Sequence, residues 1–92
     1  MKMIQIAVSD VIVPDENIEL SEQIVEGLKK IIEQYGTRGM APIIIDSERR
    51  LVNGYNRFLS MKECGMETMQ AIVVDDPEMA AKIRAALNVP LV

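Results

Sequence analysis

The sequence predicts one small α+β domain: a mixed sheet with about three helices, built on a single core. Three observations point there. The chain has 92 residues, a length that buries roughly 60–65% of its unfolded surface and supports one core, not two. Strand-period and helix-period segments alternate along it in the order strand, short strand, helix, hairpin, helix, strand, helix, which makes a layered mixed α+β or α/β architecture. No Pro/Gly/Ser-rich linker, internal repeat or low-complexity run divides it, so residues 1–92 are read as a single domain.

The elements are justified in turn. Ile4, Ile6 and Val8 alternate with Gln5 and Ala7, the period of a strand with one buried face. Val11-Ile12-Val13 before Pro14 is a second extended piece, and Asp15-Glu16-Asn17 reads as a loop. A helix starts at Ser21, an N-cap residue with Glu22 in the first turn and a Leu20–Val25 staple. Its apolar face is Ile24, Leu28, Ile31, Ile32 and Tyr35, and Gly36 ends it. Pro42-Ile43-Ile44-Ile45 is a short strand with Pro at its start; after the turn Asp46–Arg49, Arg50-Leu51-Val52 returns as the second arm of a hairpin. A helix over Tyr55–Cys64 ends at Gly65, and Met69–Val74 is another strand. In the last helix Asp76 is the N-cap, Pro77 the first residue, and Met79, Ile83 and Leu87 the apolar face; Asn88 and Pro90 stop it.

Composition excludes several function classes. Histidine is absent and Cys64 is the one cysteine, so His-based triads, Cys/His zinc sites and intrachain disulfides are out. A lone cysteine, the lack of a signal-peptide pattern and the lack of an apolar run near ~20 residues fit a cytoplasmic protein. The net charge of −4 argues against generic attraction to nucleic acid or anionic membrane. The charge is uneven: Arg38 to Lys62 holds five cations against two anions, +3, and the remainder is −7.

The stretch Gly54-Tyr55-Asn56-Arg57 carries the candidate chemistry. A helix start offers unpaired N–H groups and a partial positive charge, both suited to an anion. Gly54 lets a phosphate approach the backbone, Arg57 adds a planar fork of donors and Asn56 a neutral donor. Arg49, Arg50 and Arg38 are candidate helpers, and Tyr55 is a candidate site wall. From spacing alone the same residues read as a turn followed by a solvated helix arginine before they read as a phosphate site. Asp75, Asp76 and Glu78, or Asp46 and Glu48, read as cap and turn residues before they read as Mg²⁺ ligands. Cys64 reads as a semi-buried apolar residue, Met61, Met66, Met69 and Met79 as gap-filling core, and the acids 15, 16, 19, 22, 26 and 33 as a solvated face.

The pattern "I..YG.....PIIID.....LVNGYNRFLSMKECGMETMQAIVV" resembles the N-terminal domain of the ParB and sulfiredoxin superfamily over about Ile4 to Val74. In that family a helix ending in Gly precedes a Pro-Ile strand, and a hairpin leads into a Gly-x-x-Arg box at the start of the next helix. The box reads like Gly-Glu-Arg-Arg in ParB proteins and Gly-Cys-His-Arg in sulfiredoxins. The resemblance implies binding of CTP or ATP, with Mg²⁺ alongside, and phosphate contacts from Gly54 and Arg57. It implies a setting in DNA partition, plasmid or phage functions, or regulation, with DNA reached only through another domain or partner. Tyr55 stands where a sulfiredoxin has its catalytic cysteine, so sulfiredoxin reductase chemistry is not expected. The family's first-segment arginine has no match, since Pro14 is followed by Asp-Glu-Asn-Ile-Glu, and the helix-turn-helix module of ParB proteins is missing. The chain is therefore expected to be a minimal stand-alone member or a fragment. The alternatives are a protein-interaction or dimerisation module with a degenerate pocket, as a homodimer, and a DNA endonuclease, against which the net charge weighs.

Overall fold

The computed structural model describes residues 2–14, 21–37 and 39–87. Among them lie four strands, β1 (Lys2–Ala7), β2 (Ile43–Asp46), β3 (Leu51–Asn53) and β4 (Thr68–Val74), and three α-helices, α1 (Glu22–Tyr35), α2 (Tyr55–Glu63) and α3 (Pro77–Leu87). The architecture is α+β, as the sequence predicts. Arg38, the loop and acids at 15–17 and 19, Leu20, Asn88, Pro90 and the side chain of Leu87, each given a role above, lie outside the described residues.

The sheet is mixed, in the order β1-β4-β2-β3. β1 pairs antiparallel with β4 from Lys2↔Val73 to Ala7↔Thr68, β4 runs parallel to β2, and β2 pairs antiparallel with β3. Strand alternation sends Ile4, Ile6, Ile43, Ile45, Leu51, Met69 and Ala71 to one face, where they meet Ile32 of α1 and Phe58 and Met61 of α2. Val52 and Val74 point to the other face, against Ala80 and Ile83 of α3. The sheet is thus covered by α1 and α2 on one side and by α3 on the other.

Local signals set the helix ends. Ser21 Oγ accepts from the Ile24 amide at 3.3 Å, and Gly36, at φ 74°, closes α1 with its N–H on Ile32 O. α2 ends in a Schellman motif: Met66 N donates to Met61 O and Gly65 N to Lys62 O, each at 3.1 Å. The Asp76 carboxylate accepts from Glu78 N at 3.0 Å at the start of α3.

Three expectations are corrected. Val8 is not part of β1; it opens a 3-10 turn, Val8–Asp10, because the chain there leaves β4 and crosses to the far edge of the sheet. At that edge Ile12 pairs with Arg50 beside β3. Tyr35 is not core but 68% exposed, and Ile24 and Ile31 are about half exposed. The reason is α2, which packs along the Lys29 flank of α1 (Lys29 Nζ to Glu63 Oε1, 3.3 Å) and turns Val25 and Ile32 inward instead. Met79 is also exposed, and Ala80 takes the buried position on α3. No described helix is long and apolar enough to cross a membrane.

Candidate functional site

β3 delivers the chain to Gly54 beside the start of β2. Gly54 sits at φ 96°, ψ 29°, a left-handed conformation that is costly for residues with a Cβ. A Cβ built there would lie 3.0 Å from Arg57 Nη2, 3.1 Å from Ile43 Cγ2 and 3.2 Å from Ile43 Cα. Both backbone and space therefore require glycine. The Gly54 carbonyl starts α2 by accepting from Phe58 N at 2.8 Å, and no side chain caps the helix. The first-turn amides are left without helical acceptors.

Arg57 folds back over this start. Its Nη2 donates to the Pro42 carbonyl at 3.2 Å, and its Nε is shielded from solvent without an acceptor. Burial makes the guanidinium less basic than an ordinary arginine, and no carboxylate within ion-pair distance of it is found among the described residues. The site thus holds a cation whose donors are only partly used.

Asn56 and Tyr55 have internal roles. Asn56 Oδ1 accepts from the backbone N–H of Ser21 at 3.1 Å, which brings the start of α1 against the start of α2. The positive ends of two helix dipoles are therefore neighbours, although Ser21 caps that of α1. Sequence reasoning read Ser21 only as a cap; nothing local in the chain signals that its N–H meets a residue 35 positions later. The Tyr55 hydroxyl donates to Leu51 O at 3.1 Å and the ring packs against the main core. Ser60, fully buried, returns its hydroxyl to the carbonyls of Asn56 and Arg57 and fixes the first turn from within.

The structure does not bring Arg49 and Arg50 to this corner. They sit at the turn of the β2–β3 hairpin, separated from Gly54 by the length of β3, roughly 10 Å of extended chain. Arg50 pairs with Asp46 (2.8 Å) and Glu48 (3.0 Å), and Arg49, at φ 68°, lies 3.7 Å from Asp10. Asp46 is buried and its Oδ1 accepts from the amides of Glu48 and Arg50, both at 2.9 Å. Burial pushes its carboxyl up, but these hydrogen bonds and the Arg50 guanidinium outweigh that and hold it below the ordinary aspartate value.

A cleft of about 350 Å³ adjoins the corner at Pro42, between the loop entering β2 and the start of β4. Thr37, Met40, Pro42, Met61, Met66 and Gln70 are among its walls, a lining in which polar and apolar surface are about equal. No three acidic or Cys side chains converge as a metal site among the described residues.

Neither a family model nor a curated protein sequence matches the chain. Solved structures do. A Pnob8-like ParB-N domain superposes with TM-score 0.75 at 20% identity, over 95% of this chain and 36% of that one. The C-terminally truncated chromosome-partitioning protein ParB from Caulobacter crescentus, complexed with CTP-γ-S, gives 0.75 at 19%, over 100% and 55%. Sulfiredoxin from Arabidopsis thaliana gives 0.72 at 13%, over 92% and 98%. The fold is the one shared by ParB N-domains and sulfiredoxin. The chain spans about a third to a half of the length of these ParB structures and nearly all of the sulfiredoxin.

Proposed function

We propose that this chain is a ParB-like nucleotide-binding domain that holds the phosphates of CTP or ATP, with Mg²⁺, at the start of α2. One observation carries the reading. At the Gly54–Arg57 corner an uncapped helix start carries, one turn in, an arginine without a carboxylate, and the start of α1 is hydrogen-bonded to that same first turn. Gly54 keeps the surface open where a Cβ would fill it. The first-turn amides and the Arg57 fork would take phosphate oxygens, and the adjoining cleft is of a size to take the base. Ser60 and Asn56 would hold the first turn in place without touching the ligand. Mg²⁺ would neutralise phosphate charge once the nucleotide is bound. The solved ParB complexed with CTP-γ-S supports CTP as the first ligand to try. The same likeness suggests a setting in DNA partition, with DNA met through another domain or partner.

Titration of CTP, ATP and GTP with Mg²⁺, followed by backbone amide shifts, tests this. The amides of residues 54–57 and of Ser21 are expected to move at sub-millimolar nucleotide. Arg57→Ala should weaken binding by about tenfold or more, the scale of a lost charge-assisted bidentate contact. Arg50→Ala should leave binding unchanged. Amides 54–57 that stay still up to millimolar nucleotide would overturn the reading.

A further inference from the structure

β4 is a central strand, yet one short stretch of it is unpaired on one side. Val8 N donates to Glu67 O at 2.9 Å, so by antiparallel alternation Met69, Ala71 and Val73 turn their backbone groups to β1. Thr68, Gln70 and Ile72 turn theirs to β2. β2 begins at Ile43, opposite Ala71. In that parallel register Ile43 fills the pair formed by Gln70 C=O and Ile72 N–H. The next pair back along β4, Thr68 C=O and Gln70 N–H, would be filled by Ala41 if β2 continued. Among the described residues nothing pairs with either group. The chain leaves the sheet here instead: Met40 N donates to Thr37 O at 3.1 Å in a turn, and Arg57 takes the Pro42 carbonyl.

The cleft beside the Arg57 corner lies at this gap. Residues 39–42 form one wall and residues 68–70 the other, and none of its lining side chains is charged. Met61, Met66 and Met69 bound it on the face covered by α1 and α2. Gln5, the cross-strand partner of Gln70, bounds it on the opposite face. An opening in the plane of the sheet, with a carbonyl and an N–H side by side on its rim, suits a planar uncharged group that carries its own donor and acceptor. The Watson–Crick edge of a nucleobase is such a group.

The corner sets the orientation of that edge. Pro42, which holds Arg57, precedes Ile43 and lies on the Gln70 side of the gap, and Thr68 is two residues farther from it. A nucleotide with its phosphates at Arg57 therefore turns the sugar-proximal part of its edge to Gln70 N–H and the sugar-distal part to Thr68 C=O. Cytosine and adenine match that order, with an exocyclic amine outermost and a ring-nitrogen acceptor next to it. Guanine carries a carbonyl outermost and a ring N–H next, which sets acceptor against acceptor and donor against donor. We propose that the Thr68 carbonyl and the Gln70 amide read the base and select cytosine and adenine over guanine; this selection rests on the nucleotide site proposed above.

Nuclear magnetic resonance with isotope-labelled protein and isotope-labelled CTP or ATP tests it. A scalar coupling across the N–H···N bond should link the Gln70 amide nitrogen to the ring nitrogen of the base, and exchange of the Gln70 amide should slow. GTP should bind about tenfold or more weakly than CTP and ATP, and purine riboside triphosphate, which lacks the amine, about fivefold more weakly than ATP. Gln70→Ala keeps both backbone groups and should preserve that order. The base reading is overturned, with the phosphate site intact, if CTP and ATP move amides 54–57 while Gln70 shows neither coupling nor slowed exchange. Equal binding of GTP, or loss of the discrimination in Gln70→Ala, overturns it too. Amides 54–57 that stay still remove the phosphate site and the base reading together.

Discussion

The two ends of the β2–β3 hairpin carry arginines in opposite circumstances. At the turn, Arg50 lies against the carboxylates of Asp46 and Glu48, and Arg84 approaches Asp46 at 3.7 Å. At the other end Arg57 meets a single carbonyl and no carboxylate among the described residues; a buried Nε without an acceptor occurs at both ends, in Arg57 and in Arg84. The turn has a matched set of charges and is built for stability. The helix start has a cation without a carboxylate, the feature on which the proposed phosphate site rests. A cation marks a binding site by what is left over after its internal partners are counted.

Substitutions at the two ends sharpen this contrast. The largest effect is expected from Gly54→Ala. It combines the cost of a left-handed L-residue with overpacking against Ile43, about 2–4 kcal/mol in chemical denaturation. At the turn, Asp46→Ala strands two amides and the facing guanidiniums and should cost about 1–3 kcal/mol. Asp46 also sets an acid limb. Its folded value is depressed, so its contribution is complete above the ordinary 3.8 and is lost as pH falls through the lower folded value. In Asp46→Asn, stability against pH should be flatter in that window than in the wild type. The smallest effect belongs to Glu48→Gln, which breaks only an exposed pair with Arg50 and should cost less than about 1 kcal/mol.

The sequence made legible whatever is local. Ser21, Gly36, Gly65 and Pro77 carry their meaning within a turn of themselves, and each marks a helix end where expected. The hairpin was legible too, because Pro42 and the polar turn bracket an apolar run. What failed depends on packing between distant elements. Tyr35 shares a helical period with Ile32, yet the position of α2 decides which part of a broad apolar sector faces inward. Arg50 is seven residues from Arg57, but a strand intervenes and carries the two to opposite ends of a hairpin. The corner itself was half legible: Gly54 and Arg57 stand out by type and spacing, whereas the internal use of Asn56 and the approach of Ser21 required the tertiary structure.

The pairing of β1 with β4 also has a temporal side. Gln5 and Thr68, joined by a side-chain hydrogen bond, are 63 residues apart in the chain. During synthesis at about 5–20 residues per second, β1 waits roughly 3–13 s for its only described neighbour to appear. Over that interval Ile4 and Ile6 are bare and both sides of the strand are unpaired. Closing so long a loop is a slow step in folding. Changes in β1 that leave the finished domain untouched should therefore still alter the yield of soluble protein, through the nascent chain.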